Sequence, residues 1–251
     1  MKKIICVAVL LAVQAFAGGI VCSESPELCA PFLTGLIIDP SGEGSEIVEI
    51  SASPDPGGSG FSAQVNFVGS LGAVIGSIAT DADPFIDYSF GVINFTSSDL
   101  TFSFLFFSPY AGGPFGGLRS SHSSSATDGG VADGSVVVSA DALTGFVHNP
   151  ILDGVDVTSA ALGTGCTLAG APGFSDSCDG FSLLTVPIVS AASGIFGVRI
   201  EFTLSPGDAL SLNGRVELIE EPGEPIPEPT YAAVVGLALV GLSLVRRSRR
   251  M

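Results

Sequence analysis

Two histidines, His122 and His148, are the only imidazoles in the chain, so general-base chemistry near neutral pH would have to pass through one of them. His122 lies inside the serine patch Ser120–Ser125, and a serine beside a histidine is the raw material of acyl transfer. The context argues against that use. No Gly-x-Ser-x-Gly elbow presents a serine, and His148 stands before Asn149-Pro150, a turn signature. The patch itself reads as a surface strand wet on both sides or as a flexible loop. No phosphate loop or dinucleotide fingerprint is present. No catalytic residue is assigned, and a non-enzymatic protein is expected.

Hard-cation chemistry has more material. Asp81, Asp83 and Asp87 put three carboxylates near one strand edge, the donor type calcium prefers. Asp128 with Asp133, Asp153 with Asp156, and Asp176 with Asp179 form further pairs. Aspartate is also the ordinary turn residue, and none of these fits an EF-hand loop. No cofactor is expected, and calcium at Asp81, Asp83 and Asp87 is the one ion the residues could hold. Sugar stacking would need an exposed aromatic. Tryptophan is absent, and Tyr110, in a Pro- and Gly-rich stretch, reads as the loop aromatic available for it. Asn94-Phe95-Thr96 has the form of a glycosylation site and reads as a chance match.

Four cysteines remain once the first residues are set aside: Cys22, Cys29, Cys166 and Cys178. Three pairings are open to them. The short-loop choice, Cys22 with Cys29 and Cys166 with Cys178, is expected in an oxidising compartment. No Cys-x-x-Cys pair occurs, which argues against zinc.

The elements that must position these groups follow a period of two. Phe61, Ala63, Val65 and Phe67 alternate with polar residues. So do Leu100, Phe102, Phe104 and Phe106, then Val198, Ile200, Phe202 and Leu204, then Leu210, Leu212, Gly214, Val216 and Leu218. Each run gives one face to a core and one to water. The second run ends apolar on both faces, as for a strand covered on both sides. Weaker strand candidates are 33–39, 46–52, 71–79, 85–95, 135–140 and 181–190. Turn chemistry separates them at Pro54 to Gly58, Ala111 to Pro114, Asp128 to Gly130 and Ser205 to Asp208. Asn213-Gly214 could be a tight hairpin, but the unbroken alternation favours one strand with a bulge or bend there. The expected fold is an all-β antiparallel sandwich, jelly-roll-like, filled by phenylalanine.

Charge bounds the partners. Residues 18–226 carry three arginines, Arg119, Arg199 and Arg215, against 24 acids, a net of −21 with no lysine. Such a surface repels nucleic acid and anionic lipid, and tolerates divalent cations or neutral glycans.

Both ends read as addresses. Lys2-Lys3, an apolar run from Ile4 to Val13 and the small residues Ala15 and Ala17 form a signal peptide over residues 1–17, which implies signal peptidase and the general secretion machinery as partners. At the other end, residues 220–229 are a proline-rich spacer containing Pro227-Glu228-Pro229. Thr230 to Val245 is uncharged and apolar all round, about 24 Å long as a helix against a bilayer core of roughly 30 Å. Arg246, Arg247, Arg249 and Arg250 follow in the basic tail 246–251. Snorkelling arginines offset part of the shortfall and keep this tail cytoplasmic.

The proline-glutamate-proline triplet, the short apolar helix and the terminal arginine cluster resemble the PEP-CTERM sorting signal. That resemblance covers about one tenth of the chain. It implies an exosortase-type sorting protease as partner, passage through the inner membrane of a Gram-negative bacterium, and release to the cell surface or an exopolysaccharide layer. Asp83 to Val92 and Phe202 to Asp208 resemble, more weakly, the exported β-rich domain of such proteins. What results is the expectation of a structural or adhesive surface protein, its domain spanning residues 18–219. The alternative is a module that binds carbohydrate or calcium.

Overall fold

The structure, a computed structural model, describes residues 31–41, 44–56, 60–81, 84–111, 115–129, 133–188 and 193–220. The signal peptide, Cys22, Cys29, Asp83 and everything from the sorting triplet to the terminal arginines lie outside the described residues. No helix among the described residues is long and apolar enough to cross a membrane.

Among the described residues, fifteen strands run in order: β1 (Phe32–Ile38), β2 (Ser45–Glu49), β3 (Ser53–Pro54), β4 (Phe61–Val68), β5 (Gly72–Asp81), β6 (Phe85–Asn94), β7 (Leu100–Ala111), β8 (Phe115–Thr127), β9 (Ser135–Ala140), β10 (His148–Leu152), β11 (Val155–Asp156), β12 (Gly165–Ala169), β13 (Ser175–Pro187), β14 (Ser193–Leu204) and β15 (Ala209–Glu220). A 3-10 turn covers Thr158–Ala160. The first sheet has the order β11-β10-β14-β7-β1-β2, with β9 also on β14 and β12 on β9; the second has the order β13-β8-β15-β6-β5-β4-β3. All pairs are antiparallel, and the two sheets close on one hydrophobic core, a sandwich.

Each period-two run becomes a strand whose apolar members face inward. Leu100, Phe102, Phe104 and Phe106 of β7 are buried beside Phe196, Val198, Ile200, Phe202 and Leu204 of β14. Phe102 stacks on Phe202 within the first sheet, with ring centroids 5.4 Å apart. Phe90 of β6 crosses from the second sheet to meet Phe104 at 4.7 Å. Offset and tilted ring contacts of this kind add to the area term of burial. Phe107, on the outer face of β7, is half-buried. It pairs with Gly197, and a side chain there would overlap its ring.

β15 runs straight through Asn213-Gly214, in unbroken register with β6 and β8 at that point. The expected single strand is present without the bulge. The largest departure from the sequence reading is β8, a thirteen-residue strand that includes all of Ser120–Ser125. Ser120, His122 and Ser124 point inward and are buried, so the patch is neither wet on both faces nor a loop. Serine hid it because a polar inward face breaks the apolar alternation by which strands are read.

Two ties fasten the ends of the strands. Asn94 is fully buried; its amide donates to the carbonyls of Ser98, Leu204 and Ser205, and its oxygen accepts from Thr96. It joins the β6–β7 turn to the β14–β15 turn, so the glycosylation-like triplet is turn chemistry. The Cys166–Cys178 disulfide forms as expected, with Cα atoms 5.3 Å apart. Cys166 lies on β12 in the first sheet and Cys178 on β13 in the second. The bond therefore staples the two sheets as well as closing a short loop.

Phe104→Ala would open a cavity at the centre of the ring cluster and lower unfolding free energy by about 3–5 kcal/mol, read by urea titration. Cys166→Ser with Cys178→Ser would lower it by about 2–4 kcal/mol through the freed unfolded chain, and reduction of the wild type with dithiothreitol would reproduce the shift.

Candidate functional site

Antiparallel register places Tyr88, Gly214 and His122 side by side on β6, β15 and β8. All three face the core. A Cβ on Gly214 would overlap the Tyr88 hydroxyl, so glycine is what lets the phenol lie across β15 toward His122. Tyr88 Oη is 3.2 Å from His122 Nδ1 and 2.6 Å from Nδ1 of His148, which enters from β10 in the opposite sheet. His148 Nε2 is 2.8 Å from Ser120 Oγ. At the other end, His122 Nε2 is 3.8 Å from Asp179 Oδ2 and is buried without a hydrogen-bond partner.

The two histidines, expected in a turn and in a polar patch, thus meet in the core with ring centroids 5.7 Å apart. Gly163 holds a positive φ of 74° and closes over His122. A Cβ there would sit 2.8 Å from the ring. The backbone on either side pairs with β10 through Leu162 and His148, which seals this edge of the sandwich.

The protons have one consistent order. Burial disfavours the Asp179 carboxylate, but attraction to His122 and bonds from Thr164 N–H and Ser124 O–H outweigh it and hold its pKa below the usual value. A carboxylate facing His122 Nε2 favours a proton on that nitrogen. His122 Nδ1 then accepts from the Tyr88 hydroxyl, Tyr88 Oη accepts from His148 Nδ1–H, and His148 Nε2 accepts from Ser120. Burial, and secondly the neighbouring His122, push the His148 pKa well below 6.5. Burial pushes the Tyr88 phenol well above 10. Ser120, His148 and their neighbours form a line of the type used in nucleophilic catalysis, yet Ser120 has no exposed surface and no acyl group can meet it in this arrangement. What the cluster does here is clasp the two sheets.

The outer side of the same strands carries a shallow depression of about 360 Å³, bordered by Ser77, Ser89, Ser123, Phe181 and Asn213. Here the second sheet turns polar side chains to solvent.

The remaining candidates fall elsewhere. Asp87 is bound to Arg215 (2.8 Å), Asp81 ends β5, and Asp83 is outside the described residues. Asp128 accepts from the amides of Gly134 and Gly173, Asp153 from Ile195 N–H, and Asp156 pairs with Arg199. Among the described residues, no group of three or more His, Cys, Asp or Glu side chains is arranged to hold a metal ion. Tyr110 is not an exposed loop aromatic. It is buried at the end of β7 against Phe115 and Phe196. Residues 120–125 are polar at every position, inward and outward alike, so the sequence carried no alternation that could have pointed to the clasp.

Compared with protein-family models, curated proteins and solved structures, the chain matches none of them.

A neutral buried imidazole makes stability fall in acid. The unfolded state takes up a proton on His148 below about pH 6.5 while the folded state does not. Unfolding free energy should be flat from about pH 8 to 7 and then drop by up to about 1.4 kcal/mol per pH unit toward pH 5.5. His148→Asn should flatten that slope, as measured by urea titration across the range. Tyr88→Phe leaves two imidazole nitrogens without their shared partner and should cost about 1–3 kcal/mol at neutral pH.

Proposed function

We propose that this is an exported protein, sorted through its C-terminal tail to the cell surface or extracellular polymer layer, where its β-sandwich has a structural or adhesive role. The observation that carries the reading is the Cys166–Cys178 bond in the domain that precedes the tail, because structural disulfides belong to oxidising compartments. That agrees with the signal-peptide pattern at residues 1–17 and with the PEP-CTERM resemblance of Pro227-Glu228-Pro229, the apolar run 230–245 and the arginines after it.

The domain suits the role. All three arginines of residues 18–226 are paired: Arg119 with Glu217, Arg199 with Asp141 and Asp156, and Arg215 with Asp87 and Glu217. The exterior is therefore acidic without an anchor for polyanions. The chemistry-bearing side chains are enclosed and serve cohesion. The last strand ends at Glu220, where the proline-rich spacer begins, and that spacer would hold the sandwich off the membrane and leave the triplet open to an exosortase-type protease.

Expression with and without Pro227 to Met251, in a host carrying the sorting protease, tests the route. The complete chain should be shortened and recovered from the outer surface or medium on fractionation and blotting. The truncated chain should stay in the periplasm. Uncut protein lodged in the inner membrane would refute processing.

A further inference from the structure

We propose that the outer face of the second sheet binds a neutral polysaccharide, with the Phe181 ring as the stacking wall of the site. This rests on the surface or matrix location proposed above and names the partner met there.

The register builds a straight row across five strands. Gln64 of β4 pairs with Ser77 of β5, Ser77 with Ser89 of β6, Ser89 with Asn213 of β15, and Asn213 with Ser123 of β8. Side chains alternate along each strand, so this row points outward while the adjoining Tyr88, Gly214 and His122 point in. The strands are about 4.8 Å apart, a spacing that sets one hydrogen-bonding side chain against each step of an extended sugar chain. Ser89 Oγ donates to Asn213 Oδ1 (2.7 Å), which leaves the Asn213 amide nitrogen turned to solvent. Among the described residues, no side-chain hydrogen bond engages Ser77, Ser121 or Ser123.

The aromatic comes from a distortion. β13 loses register with β8 between Asp179 and Ser182, and Phe181 stands in that irregular stretch, 73% exposed. A bulge re-aims a side chain, and this one brings a bare ring to the end of the row. Leu183, 57% exposed, lies beside it on the outer face. An apolar ring next to unengaged hydroxyls and an amide matches a pyranose, which is apolar on its face and rich in hydroxyls at its rim.

Charge selects the polymer. Both cations on this face are engaged: Arg215 by Asp87 and Glu217, over the Phe85 ring at 4.1 Å, and Arg119 by Glu217. With a net of −21 on residues 18–226, an acidic polymer is repelled. A protein partner fits less well, because serine is depleted at protein interfaces and here it dominates the row.

The test is affinity electrophoresis of the full chain in detergent micelles, through gels containing neutral β-glucan, dextran or galactomannan, or a polyuronate. At least one neutral polymer should retard the protein and the polyuronate should not. Phe181→Ala and Asn213→Ala should each weaken retardation at least about tenfold, equivalent to about 1.4 kcal/mol, with melting temperature unchanged. Ile47→Ala, an exposed apolar residue of the first sheet, should leave retardation intact. Four results would overturn the site: no retardation by any neutral polymer, equal retardation by polyuronate, an unchanged Phe181→Ala, or an equal loss in Ile47→Ala. A concentration-dependent dimer abolished by Phe181→Ala would also overturn it by assigning the patch to self-association. Binding is measured on purified protein, so a failure of sorting in cells leaves this result untouched.

Discussion

Tyr88 Oη reaches two imidazoles that enter from opposite sheets, and each of those nitrogens is out of reach of water. A buried donor or acceptor left unmet costs roughly 1–3 kcal/mol, so sliding the sheets apart from this placement would forfeit both Tyr88–imidazole bonds. Phenylalanine burial drives the sheets into contact but tolerates sliding, because dispersion and the hydrophobic effect have little direction. The hydrogen-bonded clasp supplies direction. Gly214 makes it possible by clearing the phenol's path, and Gly163 closes it off.

The clasp and the disulfide divide the work of holding the sandwich. The clasp joins β6 and β8 to β10 inside the core. Cys166–Cys178 joins β12 to β13 at the rim, close to Asp179 and the irregular stretch that follows. One strand, β13, therefore carries a sheet staple, the carboxylate that orders the clasp and the exposed Phe181. Register with β8 shifts on both sides of Asp179, and the bond at Cys178 and the Ser124–Asp179 contacts hold the strand between the two shifts.

Strand periodicity was legible where the inward residues were apolar. β1, β4, β5, β6, β7, β9, β14 and β15 follow the alternation of Leu, Val, Ile and Phe to within a few residues. β8 and β10 were not, because Ser120, His122, Ser124 and His148 are polar side chains facing inward, a choice that only a partner on another strand can make favourable. Tyr110 was misplaced for the related reason that a proline- and glycine-rich neighbourhood suggests a loop, whereas here it ends a long strand.

The amino-acid order alone pointed to an all-β sandwich and fixed an acidic composition, and it made Cys166 with Cys178 the preferred short-loop pairing among three, since these depend on local alternation, composition and loop closure. Tertiary structure decided which polar residues meet. Tyr88, His122 and His148 are separated by tens of residues; antiparallel register aligns Tyr88 with His122 across β15, and the packing of one sheet on the other brings His148 to the phenol. The same register lines up Ser77, Ser89, Asn213 and Ser123 on the opposite face. No local pattern contains that row, because its members are neighbours only across the strands.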